Sequence, residues 1–262
     1  MKIAIIGGTG VYDPRILTGV RELQATTPYG AINVTVGTWQ GQEIVFMARH
    51  GKGHTVPPHM INYRANMWGL AQLGVERVLT TTAVGSLNPD MKPGDFVLID
   101  QFLDFTKVRQ STYFDGKDGK VVHLDYTEPY CPEVRAAIRE AASQNGISIN
   151  CGGCYVCTEG PRFESKAEIL AYRRLGGDLV GMTNVPEVIL ARELGMCYAT
   201  ISMVTNYAAG ISPTPLTHQE VLDVMAANGD QLKSLLMSTL PLIPAQRGCH
   251  CDHEQKPAVE RG

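Results

Sequence analysis

Three short polar clusters between residues 158 and 209 carry residue types suited to holding a small polar ligand. They lie at 159–164 (EGPRFE), 182–184 (MTN) and 205–207 (TNY), and each follows a segment with the character of a strand. In an open α/β sheet, ligands bind outside the carboxyl ends of strands, where loops carry polar groups without breaking the sheet. We therefore predict that the three clusters form walls of one pocket.

A basic loop follows the strand predicted at 43–48. Arg49 and His50 come first, and Lys52, His54 and two glycines complete the segment. Guanidinium groups bind phosphate or carboxylate through paired hydrogen bonds, and glycines let the backbone approach an anion closely. The loop indicates an anion site, although a solvated basic turn would have the same composition.

Two other strand ends suit an anion. The strand predicted at 2–6 leads into a glycine turn that contains Thr9, and the strand at 75–82 ends in three threonines before Ala83. Backbone amides and hydroxyls of such turns bind anions. Glycine turns are also tight strand exits and threonines are good strand formers, so each signal alone is weak. A dinucleotide fold is disfavoured because the next strand region, 32–37, has no carboxylate.

Strand and helix patterns alternate along the chain. Helices are predicted at 58–74, at 132–143 and between Pro186 and Gly195. Two more are predicted to begin at the capping-box spacings of Ser165 and Thr217, and the second of these runs to about 240. Residues 101–121 are predicted to form a long, mostly polar excursion. The pattern predicts an α/β fold: a single domain over 1–245 with a mixed, mostly parallel central sheet flanked by helices.

Composition narrows the possible partners. A formal charge of −3 over 262 residues provides no field that would attract nucleic acid or an anionic membrane surface. No stretch has the roughly 18 apolar residues of a membrane helix, and the amino-terminal apolar run is too short for a signal peptide. Seven cysteines do not form a secreted disulfide framework. We expect a cytoplasmic protein.

The segment 246–262 is treated separately as a tail that contains cysteine and histidine. Cys249, His250, Cys251 and His253 include possible zinc ligands, but no matching distant pair is evident. Metal binding, a local disulfide or a mobile end with incidental cysteines are all possible, and the pattern favours the mobile end. The same caution applies to Cys151, Cys154 and Cys157.

Taken together, the motifs resemble the trimeric purine nucleoside phosphorylase and methylthioadenosine phosphorylase family over residues 1 to about 240. The segments that carry the resemblance are IGGTGVYD at 6–13, RHG at 49–51, PH at 58–59, NYRAN at 62–66, EGPRF at 159–163, GMT at 181–183 and VPE at 185–187. The resemblance implies phosphorolysis, in which inorganic phosphate attacks the anomeric carbon of a purine nucleoside. No cofactor and no metal are expected, and phosphate is a co-substrate.

The resemblance also assigns site residues. The implied phosphate site consists of Thr9, Arg49, His50, Thr82, Ala83 and Thr183. Met182 matches a residue that packs under the ribose, and Phe163 one that packs against the base. Asn206 matches the polar group that stabilises the departing purine at N7. Asn206, His50 and Arg49 are therefore the implied catalytic residues.

Position 206 bears on which purine is used. Family members that act on 6-aminopurines have Asp-Tyr-Asp where this chain has Asn206, Tyr207 and Ala208. Glu164 matches a glutamate that accepts a hydrogen bond from N1–H of 6-oxopurines. Adenine lacks that proton and would face an unpaired carboxylate. The resemblance therefore favours inosine and guanosine, with 5′-methylthioinosine as a further substrate.

Two histidines remain. His218 matches a residue that contacts the 5′-hydroxyl, and His123 one that reaches the neighbouring subunit's pocket in a homotrimer or a dimer of trimers. The alternatives are a methylthioadenosine phosphorylase and a non-catalytic nucleoside-binding module.

Overall fold

The computed structural model describes residues 1–7, 16–117, 119–212 and 217–260, and of His218 only the backbone. In this part of the chain, eleven strands form one sheet. The strands are β1 Lys2–Gly7, β2 Thr18–Thr27, β3 Gly30–Trp39, β4 Gln42–Ala48, β5 Val75–Ser86, β6 Phe96–Leu98, β7 Gln101–Phe105, β8 Ile149–Cys151, β9 Cys154–Thr158, β10 Leu179–Gly181 and β11 Cys197–Tyr207. The α-helices are α1 Tyr63–Gln72, α2 Pro132–Gln144, α3 Lys166–Arg174, α4 Asn184–Glu193 and α5 His218–Thr239.

The centre of the sheet is parallel. β1 lies between β4 and β5, and β11 also runs parallel to β5. β2 and β3 extend the sheet as antiparallel strands beside β4. β10 runs antiparallel to β5, with Val180 opposite Gly85, and carries the parallel strands β9 and β7. The predicted single α/β domain with a mixed, mostly parallel sheet is confirmed.

The sheet separates two hydrophobic cores. Alternate residues of a strand point to opposite faces, so Ala4 and Ile6 enter one core while Ile3 and Ile5 enter the other. Residues of α1 and α4 belong to the first core and residues of α2 and α5 to the second. Helices therefore cover both faces, as the alternating pattern predicts.

Two predicted elements differ from the structure. Pro58 begins only a short 3₁₀ turn, Pro58–Met60, and α1 begins at Tyr63 because the Asn62 side chain caps it by accepting a hydrogen bond from the Ala65 amide at 3.1 Å. The predicted polar excursion at 101–121 also begins with a strand, β7, which pairs with β9. Both differences come from contacts that composition does not report.

The expectation of a mobile tail is wrong. Arg247 donates to the Gly195 carbonyl at 2.7 Å, the Gly248 amide donates to Glu133 at 2.6 Å, and His253 Nε2 donates to the Arg192 carbonyl at 2.8 Å. Cys251 is fully buried. The described part of the tail therefore packs against the ends of α2, α4 and β11. Within the described ranges, no helix is long and apolar enough to cross a membrane.

Candidate active site

A cavity of about 590 Å³ lies where the three polar clusters meet the end of β4. Its walls come from the segment after β4, from β5, from the loop after β9, from the end of β10, from β11 and from α5. Of the predicted site residues, those that line it are Arg49, His50, Thr82, Ala83, Phe163, Glu164, Met182, Thr183, Asn206 and Ala208. The structure thus brings together residues that are as much as 159 positions apart in the chain, from 49 to 208.

Arg49 lines this cavity and is oriented by three hydrogen bonds. Its Nε and one terminal nitrogen donate to the two carboxylate oxygens of Glu187 at 2.9 and 2.6 Å, and the other terminal nitrogen donates to the Thr81 carbonyl at 2.9 Å. Burial opposes the charge of Arg49, but the adjacent Glu187 carboxylate raises its pKa, so the guanidinium stays charged. A guanidinium has five N–H donors. Three are used here, and no described residue holds the other two.

Glu187 is a positioning residue that the sequence analysis did not single out. It lies on α4 and is fully buried, and it also accepts a hydrogen bond from the Tyr198 hydroxyl of β11 at 2.7 Å. A buried carboxylate requires partners that compensate its charge and satisfy its oxygens. The two-point contact with Arg49 meets that need and fixes the plane of the guanidinium.

His50 is neutral in this setting. Its Nδ1 lies 2.9 Å from the Val56 carbonyl, and because a carbonyl only accepts, Nδ1 carries the proton. Burial lowers the pKa of His50 to about 4, against the opposing effect of this hydrogen bond, and the nearby Arg49 charge lowers it further. Nε2 of the neutral ring is consequently an acceptor, suited to a protonated oxygen of an anion rather than to a bare one.

The strand predicted at 75–82 continues to Ser86, so Thr80 and Thr82 lie within β5, where they have different roles. Thr80 is fully buried and its hydroxyl lies 2.7 Å from that of Thr200 on β11, so it supports the sheet. Thr82 lines the cavity and its hydroxyl lies 2.9 Å from that of Ser202. Ala83 is the exposed residue of this otherwise buried stretch, and it faces the cavity. The strand therefore supplies a hydroxyl and an open surface beside Arg49.

Two residues after β10 form the next wall. Thr183 is buried at the start of α4, and its hydroxyl makes no capping bond with that helix. Met182 packs closely on Gly160, where an added Cβ would lie 2.5 Å from the methionine sulfur. Gly160 also has φ +67°, which a side chain would disfavour. A glycine at position 160 is thus required for the loop after β9 to close over Met182.

Glu164 lies on that loop, largely shielded from water. Its Oε1 accepts a hydrogen bond from the Thr158 hydroxyl at 2.7 Å, which leaves the second carboxylate oxygen for a ligand. Burial raises the pKa of Glu164, while the Thr158 bond opposes the rise. Phe163 beside it is 45% exposed, which is unusual for a phenylalanine and leaves one ring face for a ligand. The loop pairs an acceptor with an aromatic surface.

Asn206 completes the polar part of the cavity from β11. The Thr205 hydroxyl donates to its Oδ1 at 2.9 Å, and its Nδ2 donates to the Tyr207 carbonyl at 2.9 Å. The Tyr207 contact fixes which end of the amide is the nitrogen, because a carbonyl only accepts. The second Nδ2 hydrogen remains as a donor for a ligand, because an amide nitrogen carries two.

Helix α5 contributes an apolar wall to the cavity. Val221, Leu222, Met225 and Leu232 line the cavity. Positions 221, 225 and 232 lie on one helical face because their spacings of four and seven residues match the helical repeat. The sequence analysis located this helix but not its contact with the site; the apolar spacing was the signal available.

Some predicted site residues lie elsewhere. Among the described residues, Tyr207 and His123 do not line this cavity: the Tyr207 hydroxyl lies 3.5 Å from the Pro89 carbonyl, and His123 is exposed. Glu159, from the first polar cluster, is used to hold the 106–109 segment, since it accepts from the Lys107 amide at 2.6 Å and from Arg109 at 3.3 Å. Thr9 and the His218 side chain lie outside the described residues.

The sequence pattern of the phosphorylase superfamily matches residues 2–241. This chain belongs to that family. The predicted resemblance to nucleoside phosphorylases is thereby confirmed, and the cavity described above is the candidate active site of a family member.

Individual relatives agree with this assignment. The chain is 61% identical to a probable 6-oxopurine nucleoside phosphorylase of Moorella thermoacetica, over 96% of each chain. It is 48% identical to a probable S-methyl-5′-thioinosine phosphorylase of Methanopyrus kandleri, over 95% of this chain and 96% of that one. Among solved structures, methylthioadenosine phosphorylase from Schistosoma mansoni in complex with adenine has a TM-score of 0.89 at 35% identity, covering 94% of this chain and 93% of that one.

Proposed function

We propose that this member of the phosphorylase superfamily catalyses the phosphorolysis of 6-oxopurine nucleosides, releasing the free base and ribose 1-phosphate. The observation that carries the proposal is the position of Glu164 in the same cavity as Arg49 and Asn206, with a neutral Asn206 and Ala208 where aminopurine enzymes have acids. The high identity to a relative named for this activity supports the same substrate class.

The reaction separates charge. A phosphate oxygen attacks C1′ of the ribose while the C1′–N9 bond breaks, and the bonding electron pair leaves with the purine. Phosphate held by Arg49, His50, Thr82 and Thr183, with Thr9 as a further expected contact, stabilises the cationic sugar electrostatically. The Nδ2 hydrogen of Asn206 stabilises the negative charge at N7 of the base.

Neutral His50 adds a requirement on the anion. Because Nε2 is an acceptor, it pairs with phosphate that carries a proton, such as HPO₄²⁻, and positions the unprotonated oxygens toward the sugar. Arg49 supplies the charge, and its partner Glu187 holds it in place. Together, Arg49 and His50 bind the phosphate in a way that leaves an unprotonated oxygen free to attack the sugar.

Base selection follows from Glu164. Its free carboxylate oxygen accepts from N1–H of hypoxanthine or guanine, whereas adenine presents a lone pair at N1. A site built around one hydrogen bond rejects an analogue that lacks it by about 10⁴–10⁵. We therefore expect inosine and guanosine to be much better substrates than adenosine.

The α5 wall favours a second candidate substrate. Val221, Leu222 and Met225 provide an apolar surface near the start of the helix that carries His218, the residue expected at the 5′ end of the sugar. Such a surface suits a methylthio group better than a hydroxyl. We include 5′-methylthioinosine as a substrate, with methylthioadenosine phosphorolysis as the alternative activity.

We further propose that the enzyme acts as a cytoplasmic homotrimer, or a dimer of trimers, in purine salvage, with phosphate as co-substrate and no cofactor. Support for assembly comes from His123, which is exposed and separate from its own subunit's cavity, and from the exposed apolar side chains of Met60, Val108 and Val121.

Initial rates decide between the candidates. Inosine, guanosine, 5′-methylthioinosine and 5′-methylthioadenosine are each assayed with and without phosphate. We expect phosphate-dependent base release from the first three. Base release that is indifferent to phosphate contradicts phosphorolysis, faster adenine than hypoxanthine release supports the alternative, and binding without turnover indicates a non-catalytic nucleoside-binding module.

A further inference from the structure

Four cysteines form a cluster at the opposite end of β11 from Asn206. The sulfur atoms of Cys131, Cys197, Cys249 and Cys251 all lie within 4.8 Å of one another, and those of Cys197 and Cys249 are 3.4 Å apart. Cys131, Cys197 and Cys251 are buried and Cys249 is partly buried. The fold thus brings Cys131 and Cys197 to the two tail cysteines, for which no partner pair is evident in the sequence.

The spacing of the sulfurs is close to that of a tetrahedral site. Zinc binds thiolate at about 2.3 Å, so the sulfurs of a regular tetrathiolate site are about 3.8 Å apart along every edge. Four atoms have six separations, and in this cluster all six are below 4.8 Å. Shifts of less than about 1 Å would place all four sulfurs around one ion.

We propose that Cys131, Cys197, Cys249 and Cys251 bind one Zn²⁺ ion as a tetrahedral tetrathiolate site. Each thiol loses its proton to solvent as the metal binds. Four protein ligands leave no open position for water or substrate, which is the arrangement of a structural zinc site rather than a catalytic one.

The positions of the four ligands in the fold indicate a structural role for the ion. Cys131 is the N-cap residue of α2, Cys197 begins β11, and Cys249 and Cys251 belong to the tail. An ion shared by these four residues would fasten the tail to a helix and to a central strand. The positive end of the α2 dipole also favours a thiolate at position 131.

Disulfide bonds are the chief competing explanation. Two disulfides require only that the sulfurs approach in two pairs, whereas here each sulfur is close to all three others. Mutual proximity of all four atoms is what a single central ion requires. The cluster therefore favours a metal over paired oxidation.

Metal content and cobalt spectroscopy test the proposal. The full-length protein is purified with a reductant and without chelators, and zinc is measured per chain; metal-free protein is then titrated with Co²⁺. We expect about one zinc per chain and, on cobalt binding, a sulfur-to-cobalt charge-transfer band with the intense visible bands of tetrahedral coordination. Absence of zinc together with no such spectrum in fully reduced protein overturns the proposal.

Variants locate the site. We expect Cys249→Ser combined with Cys251→Ser to lower metal affinity at least about 100-fold, whereas Cys151→Ser, at an exposed thiol outside the cluster, should bind as the unchanged chain does. Equal metal binding by the double variant and the control contradicts the assignment. The cobalt spectrum of the unchanged chain remains decisive even if the double variant fails to fold.

Two further readouts separate this proposal from its alternatives. The intact mass of the metal-free protein, prepared without reductant, detects disulfide bonds. A mass lower by two hydrogens per bridge, together with no metal binding by the reduced protein, would assign the cluster to disulfides instead. Phosphorolysis is measured in parallel with the metal-bound and the chelated protein. Because the cluster lies away from the cavity, we expect the rate at low temperature to persist after chelation while the thermal unfolding temperature falls.

Discussion

The two ends of β11 are both buried, but the functional groups at the two ends make different kinds of contact. Cys197 begins the strand within the four-cysteine cluster, and Asn206 near its other end lines the cavity. They are nine positions apart along the strand, or about 30 Å at the usual rise per residue. At one end the Asn206 amide is oriented by two hydrogen bonds, whereas at the Cys197 end the thiols lie chiefly against one another and apolar side chains.

Burial alone therefore does not identify a functional group. The groups that contact a buried side chain indicate whether it can bind a ligand. Asn206 has its oxygen satisfied by Thr205 and one donor left over, which is what recognition of a ligand requires. The thiols form a closed group with no adjoining substrate-sized cavity among those described, which suits a structural role.

We expect the greatest loss of stability on disruption of the buried Arg49–Glu187 ion pair beside the cavity. Glu187→Gln removes one charge of a fully buried pair and leaves Arg49 buried without compensation. We expect a loss of about 3–5 kcal/mol in the free energy of unfolding, measured by urea denaturation. Glu22→Gln is the matched control, because the exposed Lys52–Glu22 pair should contribute at most about 1 kcal/mol. Equal losses for the two variants would show that Glu187 is not a buried anchor.

The next effect separates the two ends of β11 by activity. Asn206→Ala removes the donor expected at N7, and we expect kcat/KM for inosine to fall by about 10²–10³. Cys251→Ser, at the other end, should leave kcat/KM near that of the unchanged chain. Steady-state phosphorolysis of inosine measures both, and circular dichroism checks that each variant is folded. A similar loss in the two variants would mean that the ends are not functionally distinct.

A smaller effect concerns base choice at the cavity end. Glu164→Gln replaces a carboxylate acceptor with an amide that can also donate to N1 of adenine. We expect the preference for inosine over adenosine to fall by about 1–3 kcal/mol, measured as the ratio of the two kcat/KM values. Glu168→Gln, one turn into the neighbouring helix and outside the cavity, should preserve the ratio. An unchanged ratio in the Glu164 variant would remove this residue from base recognition.

The last effect is a pH dependence of stability. Burial lowers the pKa of His50 from 6.5 to about 4, so the unfolded chain binds this proton more tightly than the native protein. Above about pH 6.5 the ring is neutral in both the native and the unfolded chain, so His50 does not lower the free energy of unfolding there. As the pH falls from about 6.5 toward 4, the free energy of unfolding decreases. Unfolding free energies at several pH values are compared with those of His50→Gln. The variant should lose less stability over that range, and parallel curves would indicate that His50 titrates normally.

Several features could be predicted from local sequence. The capping box at Ser165 forms as its spacing indicates: the Ser165 hydroxyl accepts from the Glu168 amide and the Glu168 carboxylate accepts from the Ser165 amide. Helix α2 occupies Pro132–Gln144, within one residue of the prediction. Such elements depend on hydrogen bonds between residues three or four positions apart, so their signals lie within a short window of sequence.

The family motifs likewise indicated ten residues that line the cavity. They could not show what holds those residues in place. Arg49 and Glu187 are 138 positions apart, and their contact exists only because β4 and α4 meet beneath the cavity. The start of α1 at Tyr63 and the existence of β7 also escaped prediction, since an N-cap contact and a strand partner decided them.

Local periodicity and short motifs were therefore sufficient to predict the alternation of strands and helices, the family and most of the polar residues around the cavity. Tertiary contacts were needed to establish how Arg49 is oriented, that His50 presents an acceptor and Asn206 a donor, that α5 supplies an apolar wall, and that the tail cysteines meet Cys131 and Cys197. Each of these depends on contacts between residues distant in the chain, whose proximity is set by the order of strands in the sheet and the packing of helices on it.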